Sequence, residues 1–499
     1  MSFLTFTAKI FSAHTVSKVH KRSADAISIQ NKIFHALVET GRKTSFGKEH
    51  GMNSGMSYDK FRKNIPIRDY EAFRKYIDRI KGGEENVTWR NKPLYLSKTS
   101  GTTSGVKYIP ITKDSMPNHI NTTREALAMY IHETGRTDFL KGKLIFLSGS
   151  PELENISGIP TGRLSGIVNH HIPSYLKRNQ LPSYQTNCIS DWEMKVEKIC
   201  DETIGKNMSL ISGIPPWVQM YFDKVTQRTE KKIKDAFPAF SLFVYGGVNY
   251  EPYRNKLEQS IGKRVDSIEL YPASEGFIAY QDSQQRNDLL LNVDSGIFYE
   301  FIPVSEYFNP NPKRISLNEV EPGINYAIVL STNAGLWAYS IGDTVKFTFM
   351  NPYRIVITGR ISQYISAFGE HVIVEEVEKA LLKTVSEFHA EVIEFTVAPQ
   401  VNPPAGELPY HEWFIEFSSV PDDMEKFRTA LDESLQQRNI YYRDLVAGKI
   451  IQPLKIRLLE RDSFIRYMKS IGKLGGQNKV PRLSNDRKIA IELTPYFLK

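Results

Sequence analysis

The sequence predicts an α/β protein in two parts: a large N-terminal domain of β-sheets flanked by helices over residues 1–360, and a smaller α+β domain over residues 361–499. Three observations predict it. A chain of 499 residues is longer than one simple core supports, so two or three domains are expected from size alone. Between residues 94 and 360, short apolar β-prone runs alternate with helical ones, the pattern of buried strands covered by helices. Beyond residue 360 the pattern changes to a few helices and strands sufficient for a separate domain.

Taken in order, residues 1–90 read as a helical lead-in to the first domain. Ile33, Phe34, Leu37 and Val38 fall at helical spacing, and Gly41, Gly51 and Pro66 break the pattern. Met1–Arg22 is mildly basic and amphipathic and lacks the continuous apolar core and cleavage site of a secretory signal, so a surface helix is expected there. Strands are expected at Leu144–Leu147, Leu242–Tyr245, Ser267–Tyr271, Leu289–Leu291, Ile297–Ile302, Ala327–Leu330 and Arg354–Ile357. In the second part, Val374, Val377, Leu381 and Val385 mark one helix face and Met424–Gln437 another helix. Glu391–Ala398, His411–Phe417 and Leu454–Leu459 read as strands, with Gln400–Pro409 a loop between the first two.

Composition narrows the function classes. With 41% hydrophobic and 24% charged residues and no bilayer-length apolar run, the chain reads as a globular protein with no membrane partner. The two cysteines, Cys188 and Cys200, make no disulfide framework or metal motif, and a reduced, cytoplasmic setting is expected. His170-His171, read as part of a strand, would point to opposite faces and hold no metal. The formal charge of +8 comes from scattered lysines and arginines without the aromatic and glycine pattern of an RNA-recognition motif, so no nucleic-acid partner is expected. A monomer or weak homodimer is expected.

Four stretches carry chemistry. In Leu94–Thr112 an apolar run breaks into small residues, Thr99 to Gly105, and resumes. Small side chains admit main-chain N–H groups to an anion, hydroxyls add donors and Lys107 adds a cation, which together make a phosphate cradle or, read blandly, a polar hairpin turn. A Walker loop is excluded, because three residues, not four, separate Gly101 from Gly105 and Lys107 comes two positions later. Tyr245-Gly246-Gly247-Val248 is a strand ending in paired glycines, where a flat ring could lie on bare backbone. Leu270–Gly276 runs a strand into a turn that presents Ser274 and Glu275, a place for Mg2+ held between a carboxylate and substrate phosphates or for a turn-capping Glu. Ala338–Thr344 puts Asp343 after a glycine at a strand end, suited to ribose hydroxyls, and Thr358-Gly359-Arg360 follows with a guanidinium for ribose or phosphate oxygens.

The order of these stretches resembles the acyl-adenylate-forming superfamily, and within it the acyl-acid amido synthetases, the plant auxin- and jasmonate-conjugating enzymes and their bacterial relatives. The likeness rests on Thr99–Lys107 with Ile109-Pro110, Tyr271-Pro-Ala-Ser-Glu275, Tyr339-Ser-Ile-Gly-Asp343 and Gln477-Asn-Lys-Val-Pro-Arg482. It implies an ATP- and Mg2+-dependent ligase with an adenylate-forming N-terminal domain and a mobile C-terminal domain, which activates a small carboxylic acid as acyl-adenylate and passes it to an amino acid. It implies phosphate contacts from Ser100, Gly101, Thr102, Thr103, Ser104 and Lys107, Mg2+ on Glu275 beside Ser274, and ribose on Asp343 with Arg360. Gly246, Gly247 and Tyr271 would lie along the adenine, and Lys479 would approach the α-phosphate, with Lys488 as second candidate. The chain departs from acyl-CoA ligases in having Ile361-Ser362-Gln363 where those carry an acidic or Lys hinge, and in lacking their lysine-containing C-terminal ending. The alternatives are an acid–thiol ligase and a non-catalytic basic binding protein on the same scaffold. Leu147, Arg163, Val168, His170 and Trp217 are candidates for the acyl pocket, with core packing the competing role.

Overall fold

A computed structural model describes residues 3–100, 106–172, 177–248, 250–361, 364, 365, 367, 368, 370, 372–404, 406–475 and 478–498. The chain divides into two compact units. The first comprises Met1–Asn249, Leu257–Ile341 and Val345–Ile357; the second comprises Tyr250–Lys256, Gly342–Thr344 and Thr358–Lys499.

The first unit opens with the helical lead-in, helices spanning Phe3–Ala24, Ala26–Gly41, Ser45–Glu49, Tyr58–Asn64 and Tyr70–Lys81. The last shows why the segment is helical. Asp69 caps it by accepting from the Ala72 N–H, and Tyr70, Phe73, Tyr76, Ile77 and Ile80 form one buried stripe. These side chains share a core with Phe34, Phe46 and Phe61 from the preceding helices and with Phe298, Ile302, Val329 and Trp337 from the sheet region.

The strands form two sheets. Strand β1 (Tyr95–Ser100) pairs antiparallel with β2 (Val106–Ile111), and in the same four-stranded sheet β4 (Glu154–Ile156) and β5 (Ile159–Arg163) follow, β5 running parallel to β1. The twelve-stranded sheet begins with β3 (Lys143–Phe146), β6 (Gln180–Leu181), β7 (Met208–Ser212), β8 (Leu242–Gly246) and β9 (Asp266–Ala273) in the spatial order β6-β3-β7-β8-β9, all parallel. Parallel neighbours need crossovers, and the helices Trp192–Thr203, Pro215–Thr229 and Glu251–Ile261 supply them. The sheet continues through β10 (Gly276–Tyr280), β11 (Leu289–Leu291), β12 (Ile297–Pro303), β13 (Ile315–Ser316), β14 (Asn325–Thr332), β15 (Tyr339–Met350) and β16 (Tyr353–Arg360).

In the second unit, β17 (Tyr364–Ile365) and β18 (Val372–Ile373) make a short pair, and β19 (Glu391–Gln400), β20 (Tyr410–Ser419) and β21 (Lys455–Leu459) make a three-stranded sheet. Helices Val374–Glu387 and Met424–Arg438 bury Val377, Leu381, Phe427 and Leu431 against Phe395, Trp413 and Ile415. The strands and helices expected from the sequence are present, apart from a strand at His170-His171. Two local expectations differ. His170 ends a helix, Leu164–His170, and His171 caps it, so neither lies in a strand. Asp343 sits inside the twelve-residue strand β15 rather than at a strand end, because Gly342 takes a positive φ of 80° and lets the strand carry on through the bend.

Candidate active site

In the first unit, the carboxyl ends of the parallel strands gather the candidate residues, which is where open α/β sheets bind ligands. Strand β8 ends at Gly246, paired with Leu270, and a Cβ on Gly246 would stand 2.4 Å from the Leu270 carbonyl oxygen. Gly247 follows with φ +84°. The backbone here is bare because side chains do not fit, as the paired glycines predict. Strand β9 ends at the same edge, and its hairpin with β10 turns through Ser274 and Glu275, both half-buried. Tyr271, by contrast, packs into the core with Ile278, Leu289 and Leu291 and is 6% exposed.

The hairpin of β1 and β2 pairs up to Ser100 opposite Val106. Gly101, Thr102, Thr103 and Ser104 lie outside the described residues, as does the Ser100 side chain. What ties this hairpin to the rest is Ser97, fully buried, whose hydroxyl lies 2.9 Å from that of Ser274. Residues 177 positions apart thus join the loop-bearing strand to the Ser274-Glu275 turn. Lys107 turns toward the lead-in, its ammonium 5.5 Å from the Tyr70 ring centroid, while the Tyr70 hydroxyl accepts from the Tyr108 N–H.

Of the acyl-pocket candidates, Leu147 and Trp217 are buried, Trp217 against Trp192 at 4.8 Å between ring centroids. Val168 is half-buried in a small apolar cluster, and the exposed His170 bonds the Pro151 carbonyl through Nε2. Arg163 ends β5, next to Lys98 of β1. An open groove of about 360 Å³ is lined instead by Leu94, Lys113, Met116, Pro117, Ile120 and His171. His171 bonds the Tyr95 hydroxyl, and burial lowers its pKa.

In the second unit, Arg360 donates through Nε to Asp343 Oδ1 at 2.7 Å, and Thr358 bonds Thr344 beside it. Asp343 keeps 16% of its side chain exposed and Arg360 45%. Lys479 carries its charge close to this pair. Its surface is exposed, but protein crowding around the ammonium and then the Arg360 guanidinium oppose the charge; Asp343 favours it, and the pKa falls from 10.5 to about 8. Lys488 starts the helix Lys488–Glu492 on the surface, its N–H bonded to Asp486.

Arg482, in the motif that includes Lys479, is a residue whose structural part sequence reasoning missed. Its buried guanidinium reaches Glu378, Glu394, the Tyr253 hydroxyl and the Phe395 carbonyl. The Val397 N–H of β19 donates to the Arg482 carbonyl and the Ser484 N–H donates to the Val397 carbonyl, so the segment after Lys479 is held to the sheet. A basic residue three positions from Lys479 was the available signal; its acidic partners are distant in sequence.

No group of three His, Cys, Asp or Glu among the described residues could cage a metal. The half-buried Glu275 carboxylate at its turn is of the kind that would complete the shell of an ion held mainly by substrate phosphates.

Family models match three segments that together take in most of the chain: the GH3 family N-terminal domain at residues 15–194, the central domain at 290–360 and the C-terminal domain at 375–488. A jasmonoyl-L-amino acid synthetase of Nicotiana attenuata is 22% identical, with 97% of this chain and 96% of the relative covered. An indole-3-acetic acid-amido synthetase of Arabidopsis thaliana is 23% identical over 94% of this chain and 90% of its own. Among solved structures, a GH3.15 acyl acid amido synthetase in complex with 2,4-DB superposes with a TM-score of 0.79 at 17% identity, covering 98% of this chain and 96% of that one. A 2-hydroxyisobutyryl-CoA ligase in its postadenylation state follows at 0.58 and 13% identity, covering 95% and 91%. Both share the fold. By its N-terminal, central and C-terminal domains alike, the chain belongs to the GH3 family.

Proposed function

We propose that this protein is an ATP-dependent acyl-acid amido synthetase. It activates a small carboxylic acid as acyl-adenylate with release of pyrophosphate, then transfers the acyl group to the amine of an amino acid with release of AMP. The observation that carries the reading is family membership across all three domains, including the segment with Lys479. The Ser97–Ser274 contact supports it by joining the hairpin of the small-residue loop to the turn bearing Glu275.

The roles follow from the chemistry each group can supply. Ser100, Gly101, Thr102, Thr103 and Ser104 offer hydroxyls and main-chain N–H groups to the phosphates. Glu275 would hold Mg2+, which offsets phosphate charge when bound. Gly246 and Gly247, which end β8 without side chains, would lie along the adenine ring. Asp343, oriented by Arg360, accepts from the ribose hydroxyls. Lys479 brings a cation to the α-phosphate, where charge builds as the carboxylate oxygen attacks. In the second step the amine attacks the acyl carbon, the acyl–phosphate bond breaks and AMP leaves as the amine loses a proton. The setting is cytoplasmic in this reading, and no described helix is long and apolar enough to cross a membrane.

The test supplies purified protein with ATP, Mg2+ and a panel of carboxylic acids, and measures ATP–pyrophosphate exchange and then amide formation with amino acids by mass spectrometry. Acid-dependent exchange and an acyl–amino acid product are expected. CoA-dependent AMP release without any amide would make the enzyme an acid–thiol ligase, and absence of exchange with every acid would favour the non-catalytic reading.

A further inference from the structure

Just beyond the carboxyl end of β3, the segment Ser148-Gly149 lies between two cations, the half-buried Arg163 and the buried Lys195, that no carboxylate among the described residues balances. Lys195, on the helix Trp192–Thr203, is 3% exposed. Its ammonium donates to two neutral acceptors, the Ser148 and Asn187 carbonyls, each at 2.8 Å. Arg163 lies across Gly149 so closely that a Cβ there would stand 2.6 Å from its Cδ. Among the described residues neither cation has a carboxylate within ion-pair distance, and no hydrogen-bond acceptor reaches the Arg163 guanidinium. Buried charges are ordinarily paired, because an uncompensated one in a low dielectric is costly. Here burial lowers the pKa of both, and Arg163 works against the charge on Lys195. Among the described residues, two potential donors here, Trp192 Nε1 and Ser148 Oγ, are buried with no hydrogen-bond partner, as is the acceptor Asn187 Oδ1.

We infer that Arg163 and Lys195 form an anion subsite and that its occupant is the α-carboxylate of the amino-acid acceptor, an assignment that rests on the amido synthetase reading above. Its position suits that part. Arg163 is aligned with Lys98 and Gly162 with Ser97, so the subsite adjoins the strand that leads into residues 101–105. The acceptor's carboxylate fits better than the acid's, because the acid's charge is consumed when its oxygen joins the α-phosphate. The acceptor's carboxylate stays ionised from substrate to product. It is also what distinguishes an amino acid from a simple amine, and a planar guanidinium beside an ammonium matches its two oxygens.

The test compares wild type with Arg163→Ala, Arg163→Lys and Lys195→Met, after thermal denaturation has shown each to be folded. The acceptors are L-alanine, L-leucine and L-glutamine, each against its own α-carboxamide, which keeps the amine and removes the charge. Pyrophosphate exchange, which involves no acceptor, is the internal reference. Wild type is expected to prefer at least one amino acid over its amide by tenfold or more. Arg163→Ala is expected to raise the KM of that amino acid about 10- to 100-fold and to erase the preference, with Arg163→Lys retaining part of it. If wild type shows no preference for the carboxylate, or Arg163→Ala keeps the wild-type preference, the subsite is refuted. A rise in the KM of the acid or of ATP instead would assign the cations to that substrate and overturn the acceptor assignment. Absence of acid-dependent exchange in wild type would remove the amido synthetase reading and the acceptor with it; intact exchange with unaltered acceptor selectivity removes the subsite alone.

Discussion

A lysine is useful at a phosphate only while it carries its proton, and Lys479 has been brought close to losing it. Crowding and Arg360 depress its pKa to about 8, so the cation is fully present below that value and is lost as pH rises through it. If Lys479 stabilises charge at the α-phosphate, acid-dependent pyrophosphate exchange should decline as pH passes about 8. Lys479→Arg should hold its rate to higher pH, because a guanidinium stays charged throughout. Lys479→Ala should lower exchange about 100- to 1,000-fold at neutral pH, the usual cost of one preorganised donor at developing charge. The pH profiles of the three proteins check this, and superimposable profiles for wild type and Lys479→Arg would count against it. Glu275 gives a second residue-scale expectation. On a half-buried turn its removal opens no core cavity, so Glu275→Ala should abolish exchange while the melting temperature stays within a few degrees of wild type. Near-normal turnover would remove the Mg2+ assignment.

At the scale of elements, the site depends on where strands end. Gly246 is held 2.4 Å, in prospective Cβ distance, from a backbone oxygen that cannot swing aside. Gly246→Ala should therefore shift β8 against β9 and cost about 1–3 kcal/mol, read as a lower melting temperature and a larger KM for ATP. The run of Leu242–Tyr245 into two glycines made that strand and its end legible, because apolar period and a missing side chain are local facts. Asp343 was harder to place. Gly342 before it reads as a stop, yet a glycine at positive φ can also carry a strand through a bend, and only the pairing partners decide between the two. The contact of Ser97 with Ser274 has no local signature at all, since neither serine differs from any other in a strand or turn. Lys195 did leave a trace: it shares the helix face of Trp192, Val196 and Ile199, an apolar stripe in which a lysine is out of place.

For the whole molecule, the two-part plan could be read from the change of pattern after residue 360, but the second unit also takes in Tyr250–Lys256 and Gly342–Thr344. Those short pieces are assigned by contacts such as that of Tyr253 with Arg482, across 229 positions, and no composition shift marks them. The helical lead-in raises a related question, because a run of helices before a sheet domain could be an appendage. The core says otherwise. Phe34, Phe46, Phe61, Phe73 and Tyr76 from the lead-in share one cluster with Trp337, against which Phe46 and Phe61 pack directly; Trp337 is fully buried and donates through its indole N–H to the Thr88 carbonyl, and the cluster continues to Phe298 and Val329 in the sheet. Trp337→Ala should cost about 3–5 kcal/mol, the range for removing a large aromatic from a core, with additional loss from the orphaned carbonyl. A chain lacking residues 1–90 should fare worse, since it strips one whole side of that cluster and leaves Trp337, Phe298 and Val329 to water. It should show no cooperative thermal transition and weak near-ultraviolet circular dichroism. Should the truncated chain instead melt cooperatively within a few degrees of the intact one, the lead-in would be an appendage, and the hydrophobic core of the first unit would have to close without it.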